Sequence, residues 1–165
     1  MKYFTADLHF DDPIVWDMFR RNSFYDIKKM NECIVENFNN ILRKDDIVYH
    51  LGDFGNPDFK NELTGHWNFF KGNHDAILDA PLSLQRIEGD IIKKLVLCHY
   101  PLYTWEDIFE GAIHLHGHTH GCFEHHELTA MDVGVDAIGF KPISEAEVLK
   151  IITRRFLNNH FSLRK

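Results

Sequence analysis

The chain has 165 residues, 44% of them hydrophobic and 26% charged, which fits one globular domain over residues 1–165 and argues against disorder. A formal charge of −7 disfavours a protein that grips extended nucleic acid, because neutralising a run of phosphates calls for a basic face. No apolar run approaches the roughly 20 residues of a membrane helix, and Cys33, Cys98 and Cys122 are scattered without a CxxC pair, so reduced thiols and a cytoplasmic, membrane-free location are expected.

In chain order, "KYFTAD" (2–7) reads as a first strand that ends in polar residues. Ile27, Met30, Ile34, Phe38, Ile41 and Leu42 follow steps of three and four, the stripe of an amphipathic helix. "DIVYHLGD" (46–53) predicts a strand running into a glycine turn. "HWNFFKGNHD" (66–75), "KKLVLCHYP" (93–101) and "AIHLHGHTH" (112–120) repeat that design, and "AMDVGVD" (130–136) is a further strand. Ser144 to Glu147 fits a capping box that opens a last helix to about Arg155.

Short strands alternating with helical patterns predict an α/β fold, in which sites gather at the carboxyl ends of strands. The strand-end residues here are Asp7, His9, Asp53, Asn73, His74, His99, His118 and His120. This mixture of carboxylate and imidazole suits manganese, iron, zinc, nickel or cobalt, whereas an all-oxygen shell suits magnesium or calcium. So many ligands, seven even when His74 is left out, are too many for one tetrahedral ion and match two ions sharing a carboxylate, about 3.5–4 Å apart. The richest stretch, residues 112–126, carries six histidines, the first four on one parity. By itself it reads equally as a metal-buffering tract, a strand burying imidazoles or one corner of a metal site.

Taken singly these motifs are weak, since "DLH" and "GD" are common and "GNHD" is also a plain turn. Their order is the informative feature. "ADLH" (6–9), "LGDF" (51–54), "GNHD" (72–75), "LCHYP" (97–101) and "GHTH" (117–120) resemble, over about residues 2 to 143, the calcineurin-like metallophosphoesterase superfamily. The similarity is greatest to its small single-domain bacterial and phage-type members.

The resemblance implies a four-layer α/β/β/α sandwich. It implies that Asp7, His9 and His120 hold one divalent metal, that Asn73, His99 and His118 hold a second, and that Asp53 bridges them. Manganese is the first choice, with iron, zinc, nickel, cobalt or magnesium as others. His74 would act as general acid beside the substrate phosphate, worth about 10²–10⁴-fold. The expected function is a dinuclear-metal-dependent phosphoesterase that cleaves a small or nucleotide-like phosphodiester with a hydroxide generated between the metals. The alternatives are a phosphomonoesterase with the same site and a non-catalytic metal-binding scaffold; the scaffold predicts losses from the ligand set, and this chain has none.

One departure bears on substrate. Where protein phosphatases of the superfamily read GDxVDRG, this chain reads "GDFGNPD", with Asn56 and Pro57 at the positions of the second Asp and the Arg. Arg20 and Arg21 are the candidates to bind a phosphate in their place, against the plainer reading of a surface loop; Lys141 is a weaker candidate. Tyr100, Tyr103 and Trp105 either stack on a nucleobase or cover core. His114 and His116 are expected to be structural, one of them a donor behind a ligand, and His125 and His126 to be solvated. His50 either packs inside or supports Asp53. The sequence is silent on oligomeric state and natural substrate.

Overall fold

The computed structural model describes residues 1–19, 21–75 and 84–162. Strand β1 (Lys2–Thr5) is followed by a six-residue helix α1 (Pro13–Met18) and by α2 (Ile27–Ile41). Strands β2 (Ile47–His50), β3 (His66–Phe69), β4 (Leu84–Ile87), β5 (Leu95–Cys98), β6 (Ile113–His116) and β7 (Ala130–Asp132) come next. A short α3 (Val135–Ile138), an edge strand β8 (Ile143–Ser144) and α4 (Glu145–Ser162) complete the order.

The strands form two four-stranded sheets, in the orders β3-β2-β1-β8 and β4-β5-β6-β7. In each, three strands run parallel and one edge strand runs antiparallel: β8 in the first, β4 in the second. A parallel bridge between Ala6 and Gly134 ties the extension of β1 to that of β7.

Alternation along the strands explains the packing. Phe4 of β1 turns toward Leu95, Leu97, Ile113 and Leu115 of the second sheet, forming the core between the sheets, which Val148 and Ile152 of α4 join. Tyr3 and Val48 point the other way, onto Met30, Ile34 and Phe38 of α2, the stripe read from the sequence. The outer face of the second sheet carries Val96 and Ala130 under Trp105, Leu102 and Ile108, supplied by a loop and a 3-10 turn (Ile108–Glu110). The mixed α/β architecture and its helix-flanked sheets agree with the sequence; on this outer face the cover among the described residues is irregular chain.

His114 and His116 share that outer face, which accounts for their common parity. Both are fully buried. The ring of His114 donates from Nδ1 to Val96 O (3.0 Å) and accepts at Nε2 from Leu102 N (3.1 Å). Burial, partly offset by the Val96 bond, lowers its pKa to about 4. His125, expected to be solvated, bonds Leu102 O from Nε2 (2.8 Å) and lies against Trp105. His50 packs among Phe54, Trp67 and Phe69.

Helix α1 had no sequence signature because only Val15 is buried; its start is set by Asp12 as N-cap and Pro13 in the first turn. Helix α4 opens with the predicted capping box, Ser144 Oγ accepting from Glu147 N and Glu147 Oε2 from Ser144 N. It runs past Arg155 to Ser162 because no glycine or proline stops it.

Candidate functional site

Six parallel strands point their carboxyl ends at one place, and the loops that follow them carry the sequence-predicted residues. The loops after β1 and β2 lie side by side: Asp7 N donates to Gly52 O (2.9 Å), His9 N to Asp53 O (3.0 Å) and Phe10 N to Phe54 O (2.9 Å). Asp7, His9, Asp53, His118 and His120 all adopt the left-handed conformation, with φ between 48° and 69°. For a residue with a side chain that costs on the order of 1–3 kcal/mol. Five such positions in one cluster mark where local stability yields to the placing of side chains. Glycines make the close approach possible, since a Cβ on Gly72 would collide with the Asp53 carboxylate and one on Gly134 with that of Asp7.

Ligand-type atoms of Asp7, His9 and His120 lie within 4.8 Å of one another, and so do those of Asp53, His99 and His118. Asn73 closes the second group, its Oδ1 lying 2.9 Å from His99 Nε2 and 3.0 Å from His118 Nδ1. Asp53 stands between the groups, with Oδ2 3.5 Å from His9 Nε2 and 3.4 Å from His99 Nε2.

Whether these residues suit a cation can be judged from their protons. His99 Nδ1 faces Leu51 O at 2.8 Å, and a carbonyl only accepts, so the proton is on Nδ1. His9 Nδ1 faces Asp12 Oδ2 (3.1 Å) and His120 Nδ1 faces Asp136 Oδ2 (2.6 Å). In each ring Nδ1 is held at the back by an acceptor, which leaves Nε2 as the atom free to ligate a metal, as metal-bound histidines require. His9 Nε2 is buried without any partner. His99 Nε2 meets Asn73 Oδ1 at 2.9 Å, a contact favoured by positive charge, either a cation or a second ring proton; burial lowers the pKa of His99, but the Asp53 hydrogen bond and charge outweigh it and raise it. The donor set fits divalent cations.

The charges agree. Burial pushes Asp53 up, but the His99 hydrogen bond and charge outweigh it and hold the carboxyl at about 2. Burial lowers His9 to about 4, so its ring is neutral at pH 7. Asp7 is raised to about 7, chiefly by burial. A cation at the Asp7–His9–His120 group must displace that proton, so its apparent affinity is expected to fall about tenfold per pH unit below pH 7 and to level off above. Calorimetry in buffers of different ionisation enthalpy would count the released proton; an affinity flat from about pH 5.5 to 7 would remove Asp7 from the ligands.

Three carboxylates that were given no role from the sequence, one of them the last residue of GNHD, hold this arrangement. Asp12 and Asp136 anchor two of the rings. Asp75, nearly fully buried, accepts from Asp53 N (2.7 Å), Phe54 N (2.8 Å) and Gly72 N (2.8 Å), fastening the turn that presents Asn73 and His74. His74 is half exposed, its backbone N–H on Asp53 Oδ1 (2.8 Å). Phe19 stacks on His120 at 3.7 Å, and Tyr100 lies edge-on to His99 and His118 at the rim.

The substrate-binding expectation for Arg21 is corrected. Its side chain is fully buried, donating to Asp136 Oδ1 (2.9 Å) and Oδ2 (2.6 Å), Leu8 O (2.8 Å) and Asp7 O (2.5 Å). Arg20 lies outside the described residues. Trp105 covers core, its Nε1 donating to Ala112 O (3.0 Å), while Tyr103 is exposed beside His126.

No helix among the described residues is long and apolar enough to cross a membrane. No family model matches the chain. The fold is shared with a crystal structure of the protein of unknown function AQ665 from Aquifex aeolicus, at TM-score 0.70 and 27% identity over 92% of this chain and 98% of that one. A lesser overlap, at TM-score 0.41 and 21% identity over 72% of this chain and 62% of the other, is with a conserved uncharacterized protein of Streptococcus pneumoniae described as a predicted phosphoesterase; so partial a likeness carries no argument. In sequence the chain is 30% identical to the uncharacterized protein MJ1445 of Methanocaldococcus jannaschii, across 92% of this chain and 91% of that protein. With that identity sustained over nearly the full length of both, the chain belongs to the family of MJ1445.

Proposed function

We propose that this chain is a metal-dependent phosphoric ester hydrolase of the calcineurin-like type, acting on a small or nucleotide-like phosphodiester. The observation that carries the reading is the set of imidazoles, His9, His99 and His120, each held at Nδ1 from behind, with Nε2 of His9 and His99 set against Asp53 and Asn73. Asp7, His9 and His120 would hold one divalent ion, Asn73, His99 and His118 the other, with Asp53 between them. Manganese is the first choice. The four-layer sandwich belongs to the same proposal.

When bound, two such cations make water acidic enough to attack near neutral pH and offset charge on the phosphoryl oxygens. The chain does the rest. Asn73 contributes an oxygen without cancelling positive charge. Asp53, ionised far below neutral pH, keeps its charge in the site throughout. His74, half exposed at the edge, is placed to give a proton to the departing oxygen. The buried, fully engaged Arg21 offers nothing to a dianionic monoester, which favours the diester.

The test is hydrolysis of bis-p-nitrophenyl phosphate and p-nitrophenyl phosphate with added Mn²⁺, for the wild type and His74→Ala. Metal-dependent diester turnover that drops about 10²-fold or more in the variant is expected. Faster monoester turnover would keep the site and reverse the substrate preference. No turnover of either ester, with metal bound, would favour a scaffold.

A further inference from the structure

Asp12 sits where two imidazoles meet. Its Oδ1 accepts from Ile14 N (3.0 Å) and Val15 N (3.2 Å), which fixes the carboxylate as the N-cap of α1. Its Oδ2 lies 3.1 Å from His9 Nδ1 and 4.0 Å from His74 Nδ1, and the rings of His9 and His74 stand edge to face with centroids 5.1 Å apart. The other polar groups nearby are engaged. Asn56, neutral, donates from Nδ2 to Asp11 Oδ2 (2.7 Å) and accepts at Oδ1 from Asp58 N (3.0 Å), and Asp11 Oδ1 accepts from Asn31 Nδ2 (2.7 Å).

We infer that Asp12 is the positioning residue for His74: it accepts a hydrogen bond from Nδ1–H of that ring and turns Nε2–H toward the leaving oxygen. The inference rests on the proposed role of His74 as proton donor. A separation of 4.0 Å is one side-chain adjustment from a hydrogen bond, and such contacts commonly tighten only when substrate is bound. The proton balance is simple. Water forms the new P–O bond and the ester P–O bond breaks with its electron pair on the departing oxygen. Nε2 gives that oxygen its proton, Nδ1–H stays with Asp12, and the proton lost by the water restores Nε2. A carboxylate at Nδ1 supports the ring in its charged form, as an amide cannot. This chain thus takes from the loop after β1 a carboxylate that position 56 lacks.

Asp12→Asn keeps volume and N-cap strength, since Asn and Asp cap equally well; it removes the charge and the Oδ2 acceptor that His9 Nδ1 also uses, so the assays are run at saturating Mn²⁺. The experiment compares Asp12→Asn, His74→Ala and the double variant on aryl phosphodiesters of rising leaving-group pKa with Mn²⁺. Metal content by atomic emission and melting of the metal-free proteins are measured alongside. We expect kcat to fall about tenfold for p-nitrophenolate and about 10²-fold for a poor leaving group, with KM little changed, because a stronger leaving group needs less help from an acid. The double variant should be no slower than His74→Ala, with melting of the metal-free protein near the wild-type value and with full metal content once Mn²⁺ is saturating, although weaker metal affinity through His9 is expected at lower Mn²⁺. A loss equal for every leaving group, additivity in the double variant, or metal lost at saturating Mn²⁺ would overturn the inference and confine Asp12 to holding His9. A wild type that turns over no diester would fail the His74 reading itself, a different result from an active wild type with an indifferent Asp12→Asn, and the inference would fall with it.

Discussion

Asp53→Asn is expected to reduce metal-dependent turnover on the order of 10³-fold or more, because the cations are asked to supply several kcal/mol of transition-state stabilisation and each 1.36 kcal/mol is tenfold. Three features of position 53 make this the most informative single change. The residue is in the left-handed conformation at φ 59°, which asparagine tolerates better than other side chains, so the backbone loses little. Its Oδ1 accepts from His74 N, a bond that an amide oxygen can keep. Its Oδ2 lies 3.4 Å and 3.5 Å from two Nε2 atoms and is the one carboxylate oxygen shared by both groups of ligands. The variant therefore keeps shape and loses charge where the charge is needed. Bound metal should fall from about two ions per chain to about one or fewer, read by atomic emission after dialysis. Melting of the metal-free protein should fall by several degrees at neutral pH, because the His99 hydrogen bond and charge that hold Asp53 at about 2 are lost. Full metal content with full activity would remove the bridging role from Asp53.

What could be read from the sequence divides along physical lines. Candidate ligands follow strands, and strands ending in Asp, Asn or His next to Gly announce themselves in any α/β chain; Asp7, Asp53, His99 and His118, which the fold brings together, were singled out that way. The parity of His114 and His116 was also readable, because a strand has a period of two and their face is one face of β6. The anchors were not. Asp12, Asp75 and Asp136 act on other residues' protons and backbone N–H groups, and nothing in their local sequence states the partner. Asp136 did carry a signal, since it ends the run "AMDVGVD" as the ligands end theirs. Asp12 carried another, an Asp before a Pro that opens a helix. The error over Arg21 has one cause: its partner Asp136 is 115 positions away, and only the meeting of the β1 and β7 loops brings them together.

Arg21→Met is the second large effect, and it is expected in stability first. The guanidinium is fully buried and holds Asp136 with two hydrogen bonds while capping the carbonyls of Asp7 and Leu8. Removing one partner of a buried pair leaves an uncompensated charge and costs about 3–5 kcal/mol. For a chain of this size that lowers Tm by about 10 °C. Arg21→Lys should recover only part of it, because a point charge cannot reproduce the planar fork that meets a carboxylate and two carbonyls at once. Asp136→Asn added to Arg21→Met should also recover part, by removing the stranded charge. The pH dependence has a definite sign. Burial would raise the Asp136 carboxyl, but His120 and Arg21 outweigh it and hold it below the usual carboxylate range. The stabilisation is therefore present above the ordinary Asp pKa and is lost as pH falls through the depressed one, so the gap between wild type and Arg21→Met should be widest near neutral pH and close in acid. The metal centre would register the same change through His120, whose Nδ1 proton Asp136 holds. Unchanged melting with a raised KM for the diester would instead return Arg21 to the substrate, which its burial speaks against.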